Sequence, residues 1–199
     1  MERARALGAL LREHAKTAGA ADAGVVLLDG PMGAGKTTFT RALAVGLGVA
    51  HPGRVCSPTF TLCMVHAGGE PRPVTLVHVD LFRLADEEDE GMGGSAGFDA
   101  LDLEENAAEA TAGDPGLTDA KGSMAPRVLV VEWARKWRRP PSDRLEIRLG
   151  FESRAVGGAA EGPGGVGALR RIVAVEAHGA RSTAILAAWS RAWAEAPLL

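Results

Sequence analysis

Gly30-Pro31-Met32-Gly33-Ala34-Gly35-Lys36-Thr37 matches the spacing G-x-x-x-x-G-K-[ST] at every constrained position. The flanking residues decide what that spacing means. Val25-Val26-Leu27-Leu28 before it is a short apolar strand, and Thr38-Phe39-Thr40-Arg41-Ala42-Leu43-Ala44-Val45 after it reads as a helix. A loop between a strand end and a helix start can aim successive backbone N–H groups inward, and the helix N-terminus adds partial positive charge. Glycine there permits positive φ and close approach to phosphate oxygens. Lys36 is placed to reach the β- and γ-phosphates of a nucleoside triphosphate, and Thr37 to ligate Mg²⁺. A glycine-rich turn matching by chance is the competing reading, and the strand–helix context weighs against it.

At 199 residues the chain has the length of one domain spanning 1–199, and its 46% hydrophobic content is that of a globular protein. A formal net charge of −3 gives no general pull toward nucleic acid or an anionic membrane. Cys56 and Cys63 lack C-x-x-C spacing and the five histidines show no ligand spacing, so neither a zinc site nor a disulfide framework is expected. Glu2, Arg3, Arg5, Arg12, Glu13 and Lys16 argue against the apolar core of a signal peptide. No apolar run approaches the ~20 residues of a membrane span. The expectation is a cytoplasmic protein with no membrane association.

Leu7, Leu10, Leu11, His14 and Ala18 follow the spacing of an amphipathic helix ending before Gly19. Gly46 and Gly48 read as closing the phosphate-loop helix. After the loop Val55-Cys56-Ser57-Pro58-Thr59-Phe60 come two strands, 61–65 and 74–79, and Gly68-Gly69 between them predicts an antiparallel hairpin. An acidic run, Asp86-Glu87-Glu88-Asp89-Glu90, and a short helical pattern at Phe98, Leu101 and Leu103 follow. The stretch at about 104–126, rich in Ala, Gly, Asp and Thr, reads as a mobile surface insertion. Val128 to Val131 suits a buried strand. Two more strands, 145–149 and 171–175, flank a glycine-rich loop, and a final helix carries Ile185, Trp189 and Trp193 on one face.

Two apolar strands end in a carboxylate, Asp80 and Glu132. Each fits a Walker-B arrangement, in which a strand beside the phosphate loop presents an acid toward Mg²⁺, and each also fits an acid facing solvent. Thr59 lies on a loop after the phosphate-loop helix, where nucleotide switches place a hydroxyl. On spacing alone Ser57-Pro58-Thr59 reads as a simple proline turn.

Four blocks occur in order: residues 30–38, Val55-Cys56-Ser57-Pro58-Thr59-Phe60-Thr61-Leu62, Leu76-Val77-His78-Val79-Asp80-Leu81-Phe82-Arg83-Leu84, and Leu129-Val130-Val131-Glu132-Trp133. The series resembles the TsaE (formerly YjeE) family, bacterial ATPases needed to make threonylcarbamoyladenosine in tRNA. The phosphate loop is common to many families, whereas the other three blocks in this order are far more specific. The resemblance runs from Leu7 to roughly Trp133, and more loosely through the two later strands. It implies an α/β P-loop NTPase fold with a mainly parallel central sheet and antiparallel flanking strands.

By the same resemblance Met32, Gly33, Ala34, Gly35, Lys36, Thr37 and Thr38 would hold the ATP phosphates. Thr37 and Glu132 would ligate Mg²⁺, and Asp80 would act at the metal or its coordinating water. Thr59 would be a switch residue, with Lys36, Asp80 and Thr59 the catalytic set. Trp133 would pack beside the nucleotide, with Arg135 near it. His78 and Arg83 match the family block without an assigned role. The implied partners are the proteins TsaD and TsaB, with tRNA engaged only indirectly.

The chain departs from the family in carrying Phe82 where tyrosine is usual and Ala4 where a threonine often precedes the first helix. The implied activity is slow ATP hydrolysis that drives a partner complex. The chief rival is a small-molecule kinase, which would need a basic lid, yet no lysine or arginine lies between Arg83 and Lys121. A third reading is a nucleotide-gated binding module without turnover.

Overall fold

The computed structural model describes residues 1–18, 22–69, 74–84, 125–152 and 170–194. The predicted insertion at about 104–126 lies outside these except for its last two residues, and so do the acidic run, the Phe98 pattern and the glycine-rich loop. Helix α1 is Glu2–Ala18, strand β1 is Asp22–Asp29 and helix α2 is Lys36–Leu47. Strands β2 (Cys63–His66), β3 (Thr75–Asp80), β4 (Arg127–Glu132), β5 (Arg144–Glu152) and β6 (Arg170–His178) follow, and helix α3 is Ala180–Ala194.

The sheet order is β2-β3-β4-β1-β5-β6. β3, β4, β1 and β5 run parallel, while β2 on β3 and β6 on β5 are antiparallel at the two flanks. This is the expected architecture, and it fixes the location of the site. Asp80 pairs in register with Glu132, and Glu132 with Leu28 of β1. Both acids therefore reach the same rim of the sheet as the phosphate loop, which begins two residues after Leu28, at Gly30.

Strand alternation divides the sheet into two faces. One face carries Val26, Leu28, Leu76, Val128, Val130, Leu145 and Ile147, which pack with Leu7, Leu11, Phe39, Leu43, Leu47, Ile185 and Trp189 of the helices. The other carries a smaller cluster of Leu27, Val77, Val79, Leu81, Val131 and Ala134. Burying a leucine or valine side chain stabilises the fold by about 1.5–3 kcal/mol, so the helix-covered face holds most of the described apolar burial. Ile185 and Trp189 of α3 pack inward as the helical spacing predicts, and the Trp189 indole donates to the Arg3 carbonyl at 2.8 Å. The Trp193 side chain lies outside the described residues.

The sequence reading pairs Gly46 with Gly48 as helix closers, and the structure separates them. Gly48 is the C-cap at φ 78°, donating to the Ala44 and Val45 carbonyls. Gly46 lies inside α2 and lets α1 touch it. A Cβ on Gly46 would sit 2.0 Å from the Arg5 carbonyl oxygen, and one on Gly8 of α1 would sit 2.2 Å from that of Leu43. The two helices meet backbone to backbone.

Among the described residues no helix is long and apolar enough to cross a membrane. Cys56 and Cys63 are free thiols. His178 does meet two acids, Glu146 and Glu176, with potential ligand atoms within 4.8 Å of one another. That group is an ion-pair network, because Arg144 and Arg148 already bind the Glu146 carboxylate and Arg148 reaches Glu176.

Candidate nucleotide site

The phosphate loop turns on glycines whose conformations other residues avoid. Gly30, Gly33 and Gly35 have φ of 140°, 78° and 102°. A Cβ on Gly30 would lie 2.1 Å from the Leu149 carbonyl oxygen, so the loop leaves the strand where only glycine fits. Around Gly33 and Gly35 a Cβ would meet nothing within 4 Å. That open space belongs to a cavity of about 460 Å³ bounded by the loop, the start of α2, and the ends of β3 and β4.

Lys36 leads α2 and is buried except for 5% of its surface. Its ammonium donates to the Gly30 carbonyl at 2.6 Å and the Pro31 carbonyl at 3.0 Å, and stands 3.7 Å from the centre of the Trp133 ring. Burial pushes the ammonium below the ordinary lysine range. Glu132, Asp29 and Asp80 pull it back up, and Arg135 pushes it down. A cation set among loop carbonyls, carboxylates and an aromatic face is positioned to exchange those contacts for a phosphate.

Glu132 ends β4 with 2% exposure. Its Oε2 accepts the Thr37 hydroxyl at 3.0 Å, and its Oε1 lies 2.8 Å from His78 Nε2 and 3.4 Å from the Thr40 hydroxyl. A hydroxyl and a carboxylate at hydrogen-bond distance are the hard oxygen donors that Mg²⁺ prefers, so the donor chemistry fits this ion. Directly after Glu132 the chain enters the left-handed region at Trp133, φ 60°. A bulky residue there costs of order 1–3 kcal/mol and marks a constrained position. The turn sets the indole beside Lys36 and against Phe82, ring centres 5.0 Å apart.

Asp80 ends β3 and gathers the Ser57–Leu62 loop. Its Oδ2 accepts the hydroxyls of Ser57 and, at 2.8 Å, Thr59, while its Oδ1 accepts the Phe82 backbone N–H at 2.9 Å. Ser57 and Thr59 also bond each other at 2.7 Å. The loop closes with Leu62 at φ 62°, whose carbonyl accepts the Asp80 N–H at 2.9 Å. Thr59 is thus latched to Asp80 here rather than turned outward.

The cavity wall includes Met32, Gly33, Gly35, Lys36, Thr37, Thr38, Thr59, Asp80, Glu132 and Trp133 from the predicted set. Ala34 points into the core at 2% exposure and its N–H returns to the Pro31 carbonyl. Arg135 stands outside this wall: its guanidinium is 5.1 Å from the Trp133 ring, and it lines a second cavity of about 270 Å³ with Asp29, Trp137 and Arg148. Arg83 lies 5.1 Å from the exposed Phe60 ring. Ser57 and His78 hold the two acids and were not assigned these roles from sequence. The signal lies in strand alternation, since His78 and Asp80 are two apart on β3 and share a face.

A family model described as "Threonylcarbamoyl adenosine biosynthesis protein TsaE" matches residues 1–156. The chain belongs to the TsaE family. Among curated relatives, the TsaE protein of Streptomyces coelicolor is 40% identical over 139 residues, covering 69% of this chain and 73% of the relative. The TsaE protein of Mycobacterium bovis is 36% identical over 126 residues, covering 63% and 62%. Both carry the name tRNA threonylcarbamoyladenosine biosynthesis protein TsaE. A crystal structure of Bacillus subtilis YdiB is similar in fold, with a TM-score of 0.52 and 24% identity over 96% of this chain and 89% of that one.

Proposed function

We propose that this TsaE-family chain binds ATP with Mg²⁺ at the phosphate loop, hydrolyses it slowly, and uses that cycle to support synthesis of threonylcarbamoyladenosine in tRNA. Its partners in this reading are TsaD and TsaB, with tRNA engaged only through them. The observation that carries the reading is the Thr37–Glu132 contact of 3.0 Å at the mouth of a glycine cradle. It brings the phosphate-loop hydroxyl and the acid of a neighbouring strand to one point.

Thr37 and Glu132 would hold Mg²⁺ there, and the ion would supply positive charge to offset the charge that develops on the phosphates. The chain's own residues do the rest. Backbone N–H groups of Gly33 and of Gly35 to Thr38 bind phosphate, while the Ala34 N–H stays on the Pro31 carbonyl, and Lys36 leaves the Gly30 and Pro31 carbonyls to meet it. The Ser57–Thr59 hydroxyls, latched on Asp80, are the element whose release or rearrangement reports nucleotide state to a partner. With 85% exposure, Phe60 carries that report at the loop's outer surface.

Calorimetric titration with ATP tests the binding step, and Lys36→Ala should abolish tight binding because it removes the loop's phosphate-directed cation. Turnover is tested by phosphate release from the chain alone and with TsaB and TsaD. Weak activity alone and clear stimulation by the partners is the expected outcome. Near wild-type ATP affinity in Lys36→Ala sinks the cradle assignment. Robust partner-free phosphorylation of a small metabolite replaces the ATPase by a kinase, and binding without turnover under any condition leaves a nucleotide-gated module.

A further inference from the structure

Glu132 is fixed from behind. Of its two oxygens, Oε2 faces the Thr37 hydroxyl at the cavity wall, while Oε1 is turned inward to His78 Nε2 at 2.8 Å. The Thr40 hydroxyl reaches the same Oε1 only at 3.4 Å, so the short partner is the imidazole. A glutamate has three side-chain torsions, and gripping one oxygen fixes the direction of the other.

The grip is itself rigid. His78 is completely buried in β3, with Met64 of β2 and Val130 of β4 as its paired neighbours. Its Nδ1 has no hydrogen-bond partner among the described residues. The Glu132 carboxylate offers only acceptors, so Nε2 must carry the hydrogen that joins them. Packing alone accounts poorly for this residue. An imidazole with one buried, unpaired nitrogen is a worse core filler than an apolar side chain of similar size, and the bond to Glu132 is what it adds.

We infer that His78 is a positioning residue that locks Glu132 so that one carboxylate oxygen stays on the Thr37 hydroxyl, where the two would share a divalent cation. This rests on the Mg²⁺–nucleotide reading proposed above and names the group that orients its acidic ligand. Partners behind a ligating group commonly account for about 10- to 100-fold in metal affinity.

Two polar replacements separate a donated hydrogen bond from mere bulk. His78→Gln carries an amide N–H at the distance of Nε2, whereas His78→Asn stops at the distance of Nδ1 and cannot reach Glu132. Both are made in the full chain, their melting is recorded first, and ATP is titrated by calorimetry with Mg²⁺ and with EDTA. The expected result for His78→Asn is unchanged affinity in EDTA and loss of about 10- to 100-fold of the gain that Mg²⁺ confers. His78→Gln should recover most of that gain. A wild-type Mg²⁺ gain in His78→Asn overturns the inference, and so does an equal loss in His78→Gln. A wild-type chain showing no Mg²⁺ gain overturns the parent reading instead.

Discussion

Replacing Glu132 with glutamine should separate folding from metal dependence. The amide matches the carboxylate in shape, so no cavity forms at a position with 2% exposure. Its nitrogen can turn toward Thr37, whose hydroxyl is able to accept, while its oxygen keeps the bond from His78. Both contacts survive and lose only charge assistance, which is worth about 1 kcal/mol per bond from the difference between charged and neutral hydrogen bonds. Relief of a buried charge opposes even that. The net change is therefore within about 2 kcal/mol, or roughly 4–8 °C in melting temperature for a chain of this size.

Magnesium dependence should change far more. The group facing the cation becomes an N–H donor in place of an anionic oxygen, and ATP affinity in Mg²⁺ should drop at least ~10-fold, about 1.4 kcal/mol. Affinity in EDTA should hold. Thermal melts paired with calorimetry in the two buffers measure both quantities on one preparation. A variant that melts near wild type and keeps the full Mg²⁺ gain would refute the assignment of Glu132 as a ligand.

Gly30→Ala should damage both stability and ATP binding, since its Cβ would overlap the Leu149 carbonyl at 2.1 Å and its φ of 140° is foreign to alanine; an unchanged melt with normal ATP titration would show the loop is more plastic than this. Thr59→Ala leaves the cradle intact and removes one hydroxyl from Asp80, so it should spare ATP binding while lowering partner-stimulated turnover, measured by phosphate release with TsaB and TsaD. Asp143 should make the fold acid-sensitive. Burial raises its pKa, but the Ser182 hydroxyl, the Arg181 and Ser182 backbone N–H groups and the Arg181 charge together bring it below the ordinary 3.8. The folded value is thus the lower one, and this stability is present above the unfolded value and lost as pH falls through the folded one. Asp143 accepts the N–H groups of Arg181 and Ser182 in the first turn of α3 and so caps it. Asp143→Ala should cost about 1 kcal/mol at neutral pH and flatten the pH dependence of melting below about pH 4, whereas a dependence parallel to wild type at every pH would show that this carboxylate does not titrate.

Much of the fold was legible because local chemistry and global arrangement agree. The glycine cradle announces its own strand and helix, and the apolar runs ending in Asp80 and Glu132 place both acids at strand ends. Register is what the residues could not provide. That Glu132 stands opposite Asp80 and diagonal to His78 depends on β3 and β4 being adjacent and parallel, a property of the whole sheet. For the same reason Ser57 read as part of a turn, although its hydroxyl is bound to an acid on another element. Gly46 misled because a glycine near a helix end usually signals termination, while here the decisive neighbour is a helix more than 30 residues earlier. Arg135 follows Trp133 closely in sequence, yet the left-handed turn at Trp133 carries it to a different cavity.

The crossing of Gly8 and Gly46 gives α1 a mechanical duty. Helix α2 is a rod with Gly46 near one end and Lys36 at the other, about 15 Å apart at the usual rise per residue. At the crossing the rod rests directly on the backbone of α1. An added methyl at Gly46 would need to open its 2.0 Å gap to ordinary contact beyond 3.4 Å. A stiff rod passes such a displacement along its length as a tilt, and the far end holds Lys36 and Thr37. On the nucleotide reading proposed above, where a misplacement of about 1 Å can cost ~100-fold in reaction rate, α1 would work as a sight-setting splint: remote from the loop, it would set where the cradle is aimed.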